Sequence, residues 1–179
     1  MEDTRLVERA QHGDARAYGE LVERHQARVY ATLRKMTGDP DLAMDLTQDA
    51  FVRGWERLGE FERRSAFSTW LYRIAVRLAY DALERERRMS VAGIERDVAD
   101  PAPSPDRRAE RRSEAEVLER RIAELPDVQR AVVVLRTYDD LPYREIAAIL
   151  GTTEGSARVS YHHAIAKLRG RYLEEANAE

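Results

Sequence analysis

One run of aromatic and basic side chains has the chemistry of a surface for unpaired bases. Aromatic rings offer stacking faces and arginines offer cations, and single-stranded nucleic acid uses both. Their spacing places these side chains on the outer side of one predicted helix: Tyr72, Arg73, Arg77, Tyr80, Arg85, Arg87 and Arg88. The alternative is an ordinary exposed helix, because Asp81 lies four residues before Arg85 and the two side chains can pair.

A second set of side chains belongs to residues 125–173, a segment with the plan of a DNA-reading helix-turn-helix. Pro142 fits the first turn of one helix, Gly151 can end that helix in the left-handed conformation, and Thr152 or Thr153 can cap the next helix. The same spacing also suits a plain helical bundle, and exposed histidines are often only solvated. If the segment reads DNA, four side chains on the outer face would meet base edges in a major groove: Arg158, Val159, His162 and His163.

No constellation of residues in the sequence indicates catalysis. The adjacent acids Asp139 and Asp140 lie at a predicted helix boundary, where capping explains them. The sequence has no cysteine and no glycine-rich phosphate loop, and its four histidines fall in distant segments: His12, His25, His162 and His163. We therefore predict a protein that is not an enzyme, with no catalytic residue, no metal site and no cofactor.

Three helices are predicted to position the aromatic and basic side chains. The first begins near Asp14 and stops before Gly38, the second begins at Asp39 and ends at Gly59, and the third runs from Ser65 or Ser68 to Arg88. Apolar residues at helical spacing predict the inner face of the second helix: Ala43, Ala50, Phe51, Gly54, Trp55 and Leu58.

Two features of this N-terminal half leave alternatives open. The opposite side of the second helix carries polar residues that form either a solvated face or a docking surface for a partner: Asp45, Gln48, Asp49 and Arg53. In the loop at residues 59–64, Phe61 is expected either to be half-buried or to form the wall of a base pocket.

Composition predicts an all-α protein with two small helical domains. Of 179 residues, 35% are charged and 43% apolar, with only 9 Gly and 6 Pro, which suits helices better than turn-rich sheets. Residues 89–112 contain three prolines and no sustained apolar period, so we expect a flexible linker between a helical bundle at 1–88 and a helix-turn-helix domain at 113–179. No apolar run approaches the roughly 20 residues that cross a bilayer and the N-terminus is charged, so we expect a cytoplasmic location without membrane insertion.

The net charge of −3 is unfavourable for a protein that grips duplex DNA by itself, because phosphate neutralisation supplies most non-specific affinity. DNA contact is therefore expected to need help from another component.

The order of these segments resembles the extracytoplasmic-function sigma factors of bacterial RNA polymerase, in their minimal two-domain form. The resemblance covers nearly all of the chain outside the linker. Four runs carry it: DLAMDLTQDAFVRGWERL, FSTWLYRIAVRLAYDALERERR, LPDVQRAVVVLR and LPYREIAAILGTTEGSARV. It implies a protein that directs promoter-specific initiation of transcription. It also implies core RNA polymerase and promoter DNA as partners, and regulation by an anti-sigma factor.

The resemblance implies a role for each candidate residue. The second helix would hold the clamp helices of the polymerase through Asp45, Gln48, Asp49 and Phe51. The loop and third helix would capture the melted minus-ten strand, with one base in the loop pocket, through Phe61, Arg64, Ser65, Tyr72, Arg73, Arg77, Tyr80, Asp81 and Arg85. The helix from Thr153 to Arg169 would read the minus-thirty-five duplex through Ser156, Arg158, Val159, His162, His163 and Lys167.

Further expectations come from the same resemblance. Val133 and Val134 would face the polymerase flap, and the linker would follow the exit path of nascent RNA. Arg77 stands where family members usually have asparagine, and arginines usual in the reading helix are replaced by Ser160, His163 and Ile165. The competing hypotheses are a free-standing helix-turn-helix regulator and a sigma-like adaptor that does not read promoters.

Overall fold

The computed structural model describes residues 2–91 and 114–176, with only the helical backbone for residues 2, 114–116 and 171–176. These two ranges contain no β-strand, which confirms the all-α prediction. A short 3-10 helix, Leu58–Glu60, accompanies the α-helices, which are α1 (Glu2–Gln11), α2 (Ala15–Thr37), α3 (Pro40–Glu56), α4 (Phe67–Val91), α5 (Glu114–Ala123), α6 (Asp127–Thr137), α7 (Tyr143–Leu150) and α8 (Glu154–Ala176). Among these helices none is both long and apolar enough to span a bilayer.

The helix ends lie where the capping residues predict. Asp14 Oδ1 accepts hydrogen bonds from the backbone N–H groups of Arg16 and Ala17 at 3.0 and 3.2 Å, and Gly38 ends α2 at φ 76°. Asp39 caps α3 in the same way, with Pro40 in its first turn. The predicted boundaries of α2 and α3 are thus confirmed to within a few residues.

The N-terminal half is a bundle around α2, which packs against α1, α3 and α4. Leu21, Leu33 and Leu71 are fully buried at its centre. Tyr18 Oη donates to the carbonyl oxygen of Phe51 at 2.5 Å, which joins α2 to α3. Burial raises the pKa of Tyr18, so the phenol remains a protonated donor to higher pH than an exposed tyrosine would.

The C-terminal half is built from α6, α7 and α8, which pack against one another. Its interior includes Ile146, Ala157 and Ala164. Val133 and Val134 are also buried, at 2% and 0% exposed, so the expected surface for the polymerase flap is absent from these two positions. Both valines are buried because α6 packs against α2 on one side and against α7 and α8 on the other.

The two halves are in direct contact. Helix α4 packs against α7, and α2 packs against α5 and α6. The predicted linker at 89–112 begins inside α4, which continues to Val91, and its residues 92–112 lie outside the described part of the chain. The boundaries proposed for the domains therefore remain a prediction, while the contact between the halves is a feature of the structure.

Asp139 lies at the centre of this contact and is not a helix cap. It is 5% exposed, and its carboxylate accepts hydrogen bonds from Arg28, Thr32 and Tyr72 of the N-terminal half. The neighbouring Asp140 is exposed, with φ at 51°. The capping role expected for the two acids is therefore wrong for Asp139, because a buried carboxylate needs several donors and the other half supplies them.

Candidate nucleic-acid interface

The outer side of α4 carries an exposed row of cations. Arg73, Arg77 and Arg85 are exposed, and Arg77 Nε lies 3.2 Å from Asp81 Oδ1. Tyr80 is half-buried, and its Oη has no hydrogen-bond partner within the described residues. Burial raises the pKa of Tyr80, in agreement with a hydroxyl group that is enclosed by the protein. This face can therefore offer three guanidinium groups and one ring edge to a ligand.

Tyr72 does not belong to that row. The outward orientation expected for it is wrong: the residue is 2% exposed and its Oη donates to Asp139 Oδ1 at 2.9 Å. Helix α4 packs against the N-terminal bundle and against α7, so it buries a wider stripe than one bundle alone would require.

The loop before α4 is fixed by contacts with α1 and with α4. Gln11 Nε2 of α1 donates to the carbonyl oxygens of Leu58 and Phe61, both at 2.9 Å. Phe61 is 6% exposed, and its ring centroid lies 5.0 Å from that of Trp70. Arg63 takes the left-handed conformation at φ 57°, uncommon for a residue with a side chain, and pairs with Glu8.

A small open cavity of about 270 Å³ lies between this loop and α4. Phe61 is buried more fully than the half-buried position expected for it, and it forms part of the cavity wall; that this cavity takes a base stays a prediction. Arg64 and Ser65 are exposed at the rim, where Arg64 Nε lies 2.7 Å from Glu62 Oε2. The cavity is lined by Glu60, Phe61, Glu62, Arg64, Ser65, Trp70 and Arg73.

Helix α8 presents its polar face to solvent from the first turn. Thr153 Oγ1 accepts from the backbone N–H of Ser156 at 3.1 Å, which confirms the predicted cap. Arg158 Nη2 lies 3.0 Å from Glu154 Oε1, and its guanidinium lies 5.1 Å from the Tyr143 ring centroid. All six side chains predicted for this surface are exposed: Ser156, Arg158, Val159, His162, His163 and Lys167.

The positions where α8 departs from the family pattern do not lie on one face. Ser160 and Ile165 are partly buried, and Ile165 packs against the core. Only His163 of the three is exposed. Of the three positions where family members usually have arginine, only one therefore lies on the exposed outer face of α8.

On α3, the polar side chains of Asp45, Gln48 and Asp49 are exposed, whereas Phe51 is 6% exposed and packs inward. Phe51 therefore supports this surface from beneath. Its place on the inner face agrees with the apolar spacing of the helix. The surface contact implied for Phe51 is not available in this arrangement.

Sequence reasoning missed an apolar part of the same surface. Met44, Val52 and Trp55 are 51%, 57% and 40% exposed, and the inward orientation expected for Trp55 is only partly correct. The spacing of 44, 48 and 52 at four-residue intervals was a usable signal, because such residues share a helix face. Exposed apolar groups among acids and amides are typical of a protein-binding surface.

Within the described ranges, no group of three or more His, Cys, Asp or Glu side chains could hold a metal ion. The exposed surfaces offer hydrogen-bonding groups, cations and aromatic rings, which are the groups that proteins use to bind nucleic acids and other proteins. Three such surfaces are now defined: the α4 face with its loop cavity, the outer face of α8, and the mixed polar and apolar face of α3.

Comparison with known proteins gives these surfaces a family context. Sigma-70 region 2 matches residues 21–89, and Sigma-70, region 4 matches residues 115–168. The RNA polymerase sigma-H factor of Pseudomonas aeruginosa is 32% identical over 167 residues, covering 88% of this chain and 86% of that protein. The ECF RNA polymerase sigma-E factor of Escherichia coli K12 is 34% identical over 176 residues, covering 88% of this chain and 87% of that protein.

A solved structure agrees with the sequence comparison. The structure of CnrH in complex with the cytosolic domain of CnrY matches with a TM-score of 0.72 and 25% identity, covering 98% of this chain and 99% of that chain. The order of the two matched regions is the order expected from the resemblance. The chain therefore belongs to the extracytoplasmic-function family of RNA polymerase sigma factors, which are transcription initiation factors and not enzymes.

Proposed function

We propose that this sigma factor reads two promoter elements in different states, one as a duplex and one as an unpaired strand. The observation that supports this division is the presence of two separate exposed surfaces with different chemistry. One lies on α8 beside a helix-turn-helix, and the other combines the α4 cations with a cavity in the preceding loop. Paired and unpaired bases expose different groups, so they require different surfaces.

The outer face of α8 would read the minus-thirty-five duplex in its major groove. Arg158 is suited to a guanine edge and Val159 to a thymine methyl group, while His162 and His163 can donate to bases or phosphates. Arg158 would have to leave Glu154, an exposed i,i+4 pair whose contribution is small. Lys167 and Ser156 would contact the backbone.

The loop cavity and the α4 face would capture the melted minus-ten strand. A base turned out of the stack would enter the cavity beside Phe61 and Trp70, while Arg73, Arg77 and Arg85 hold the strand. Unstacking costs a few kcal/mol per base, and stacking with cation contacts can offset it. Tyr80 would offer its ring edge, and Asp81 would orient Arg77. Tyr72 would support this surface from within.

The α3 face would dock on core RNA polymerase. Asp45, Gln48 and Asp49 supply polar contacts, and the exposed apolar side chains beside them supply buried area. We further propose domains at 1–88 and 113–179 with a linker at 89–112, and an anti-sigma factor as a regulator. CnrH is solved in complex with the cytosolic domain of CnrY, which supports a protein partner for this chain.

Transcription by core polymerase reconstituted with this chain, on a library of random promoters, tests the proposal. We expect selected promoters to share two elements. Arg158→Ala should relax sequence preference in the upstream element only, and Arg73→Ala should weaken the downstream element only. Arg16→Ala, an exposed arginine on α2, is the control and should change neither. Absence of any promoter-dependent product would refute the proposal.

Two other results would select the competing functions. Specific duplex binding without polymerase, with a steep salt dependence, would indicate a free-standing regulator. If neither Arg158→Ala nor Tyr80→Ala changes transcription by the reconstituted polymerase, the protein would be an adaptor that does not read promoters. The net charge of −3 disfavours the regulator, since few cations are left over to neutralise phosphates.

A further inference from the structure

A cavity of about 420 Å³ lies outside the three recognition surfaces, where the end of α2 meets α5 and the residue that follows α6. Its volume falls in the range of roughly 300–1,000 Å³ that is typical of sites for small molecules. None of the residues that line it belongs to the α4 face with its loop cavity, the outer face of α8 or the mixed face of α3. These lining residues therefore have no role in the function proposed above.

One part of the cavity wall is apolar. Ile122 is 3% exposed and belongs to the core, and Ala123 lies next to it in α5, partly buried. The Tyr138 side chain also lines the cavity and is 43% exposed, so a large part of an aromatic residue is in contact with water there. An apolar group bound in the cavity would remove this surface from water, which is favourable.

The rest of the wall is mainly basic. Arg34, Lys35 and Arg120 line it, and Glu119 is the one acid among the described residues that do so. Arg34 Nη1 donates to the carbonyl oxygen of Gly38 at 2.7 Å. This bond fixes the guanidinium group at the cavity and uses one of its five donors. Three cations against one acid make the cavity favourable for an anion.

The ammonium group of Lys35 has no close hydrogen-bond partner among the described residues. Its Nζ lies 3.9 Å from Glu119 Oε1, too far for a hydrogen bond, and 4.5 Å from the centroid of the Tyr138 ring. The side chain is 23% exposed, so most of it is shielded from water. An ammonium group can donate three hydrogen bonds. An anion in the cavity would accept such bonds and also compensate the charge.

We propose that this cavity binds a small organic anion, whose carboxylate or phosphate group contacts Lys35 while its apolar body covers Ile122 and the Tyr138 ring. Arg34 and Arg120 would provide further N–H donors to the anionic group. The basic part of the wall selects against cations, and the apolar part selects against small inorganic ions. The site is separate from the surfaces for DNA and polymerase, so this proposal goes beyond the proposed function and does not depend on it.

Isothermal titration calorimetry of the full chain tests the proposal with four probes: 1-naphthylacetate, 1-naphthyl phosphate, 1-naphthylacetamide and acetate. The first two combine an apolar ring system with an anionic group, and they distinguish a carboxylate from a phosphate ligand. The amide keeps the rings without the charge, and acetate keeps the charge without the rings. We expect at least one naphthyl anion to bind at least about tenfold more tightly than the amide and than acetate, because hydrogen bonds to a charged group add to apolar burial.

Two variants place the anion in the cavity. Lys35→Met removes the charge and keeps a long side chain, and we expect it to weaken binding of the tighter naphthyl anion at least about tenfold. Ala123→Leu puts a larger side chain into the cavity and should weaken the same binding without a change of charge. Arg16→Met is the matched control, because it removes an exposed cation from the same helix outside the cavity, and it should leave binding unchanged. Thermal unfolding without ligand verifies that each variant is folded.

The outcomes decide for or against the site, whatever the transcription experiments show. Selective binding of a naphthyl anion that both cavity variants weaken and Arg16→Met retains supports the site. Equal binding of the naphthyl anions and the amide would overturn the proposal, since the charge would then have no part in binding. Binding that a folded Lys35→Met or Ala123→Leu variant leaves unchanged would also overturn it, because the anion would then lie elsewhere on the protein. Absence of binding by both naphthyl anions up to their solubility limits would overturn it as well.

Discussion

At Gly54 the structure predicts that Gly→Ala destabilises a helix interior, against the usual trend. In most helix interiors this change stabilises by roughly 0.5–1 kcal/mol, because alanine has less backbone freedom to lose. At Gly54 an added Cβ would lie 2.7 Å from Tyr18 Oη and 3.5 Å from Leu71 Cδ1. The first contact is too short, so the tyrosine must move.

The cost follows from what Tyr18 would lose by moving. Its Oη donates to the Phe51 carbonyl oxygen in a buried position, and an unpaired buried donor costs about 1–3 kcal/mol. Overpacking adds a similar amount, and the gain in helix propensity offsets about 1 kcal/mol. We expect Gly54→Ala to lower the free energy of unfolding by about 1–5 kcal/mol.

Urea unfolding followed by tryptophan fluorescence is a suitable assay, since Trp55 lies 4.9 Å from the Tyr18 ring, centroid to centroid. Gly19→Ala in α2 is the matched control: nothing lies within 4 Å of its added Cβ, so it should be neutral or stabilising. In a Tyr18→Phe background, which lacks the blocking oxygen, Gly54→Ala should cost clearly less. If Gly54→Ala behaves like Gly19→Ala, or costs the same in both backgrounds, the reasoning is refuted.

Four further predictions concern stability. Arg130→Met should lower the free energy of unfolding in urea by about 2–4 kcal/mol, because the carbonyl oxygens of Met36, Ala123 and Leu125 lose a charged donor. Leu135→Ala, at 0% exposure, should cost about 2–5 kcal/mol in the same assay. Thr153→Ala should cost about 1 kcal/mol and speed amide hydrogen exchange in the first turn of α8, with the rest of the chain unchanged. Because burial raises the pKa of Tyr72 and Tyr80 above 10.0, their contribution to stability should be complete below pH 10 and be lost as pH rises above it, which alkaline unfolding curves would detect.

Much of the local structure could be predicted because it depends on neighbours in sequence. Asp14, Gly38 and Thr153 determine helix ends through their own side chains or backbone, so spacing and residue type sufficed. The outward direction of Arg158 and its neighbours followed from the apolar stripe opposite them. Helix α1 was missed, because it is only 10 residues long and carries few apolar positions.

The errors arise where distant parts of the chain meet. Tyr72 and Asp139 are 67 residues apart, and nothing local distinguishes a tyrosine in water from one that donates to a buried acid. Val133 and Val134 were expected to face the polymerase flap, yet α2 packs against α6 and the two valines are buried. The sequence predicted which residues make up the α4 face and the loop cavity. Which of these side chains are exposed also depends on the packing of α4 against α7 in the C-terminal half.

Helix α2 packs against helices of both halves, and it is synthesised long before its neighbours in the C-terminal half. Its last residue, Thr37, is synthesised 102 residues before Asp139 (139 − 37), a delay of about 5–20 s at ordinary translation rates. Throughout that interval the side of α2 bearing Arg28 and Thr32 lacks its later neighbour. The guanidinium and hydroxyl groups there can pair with water in the meantime, which makes that part of α2 less prone to aggregation than an apolar surface would be.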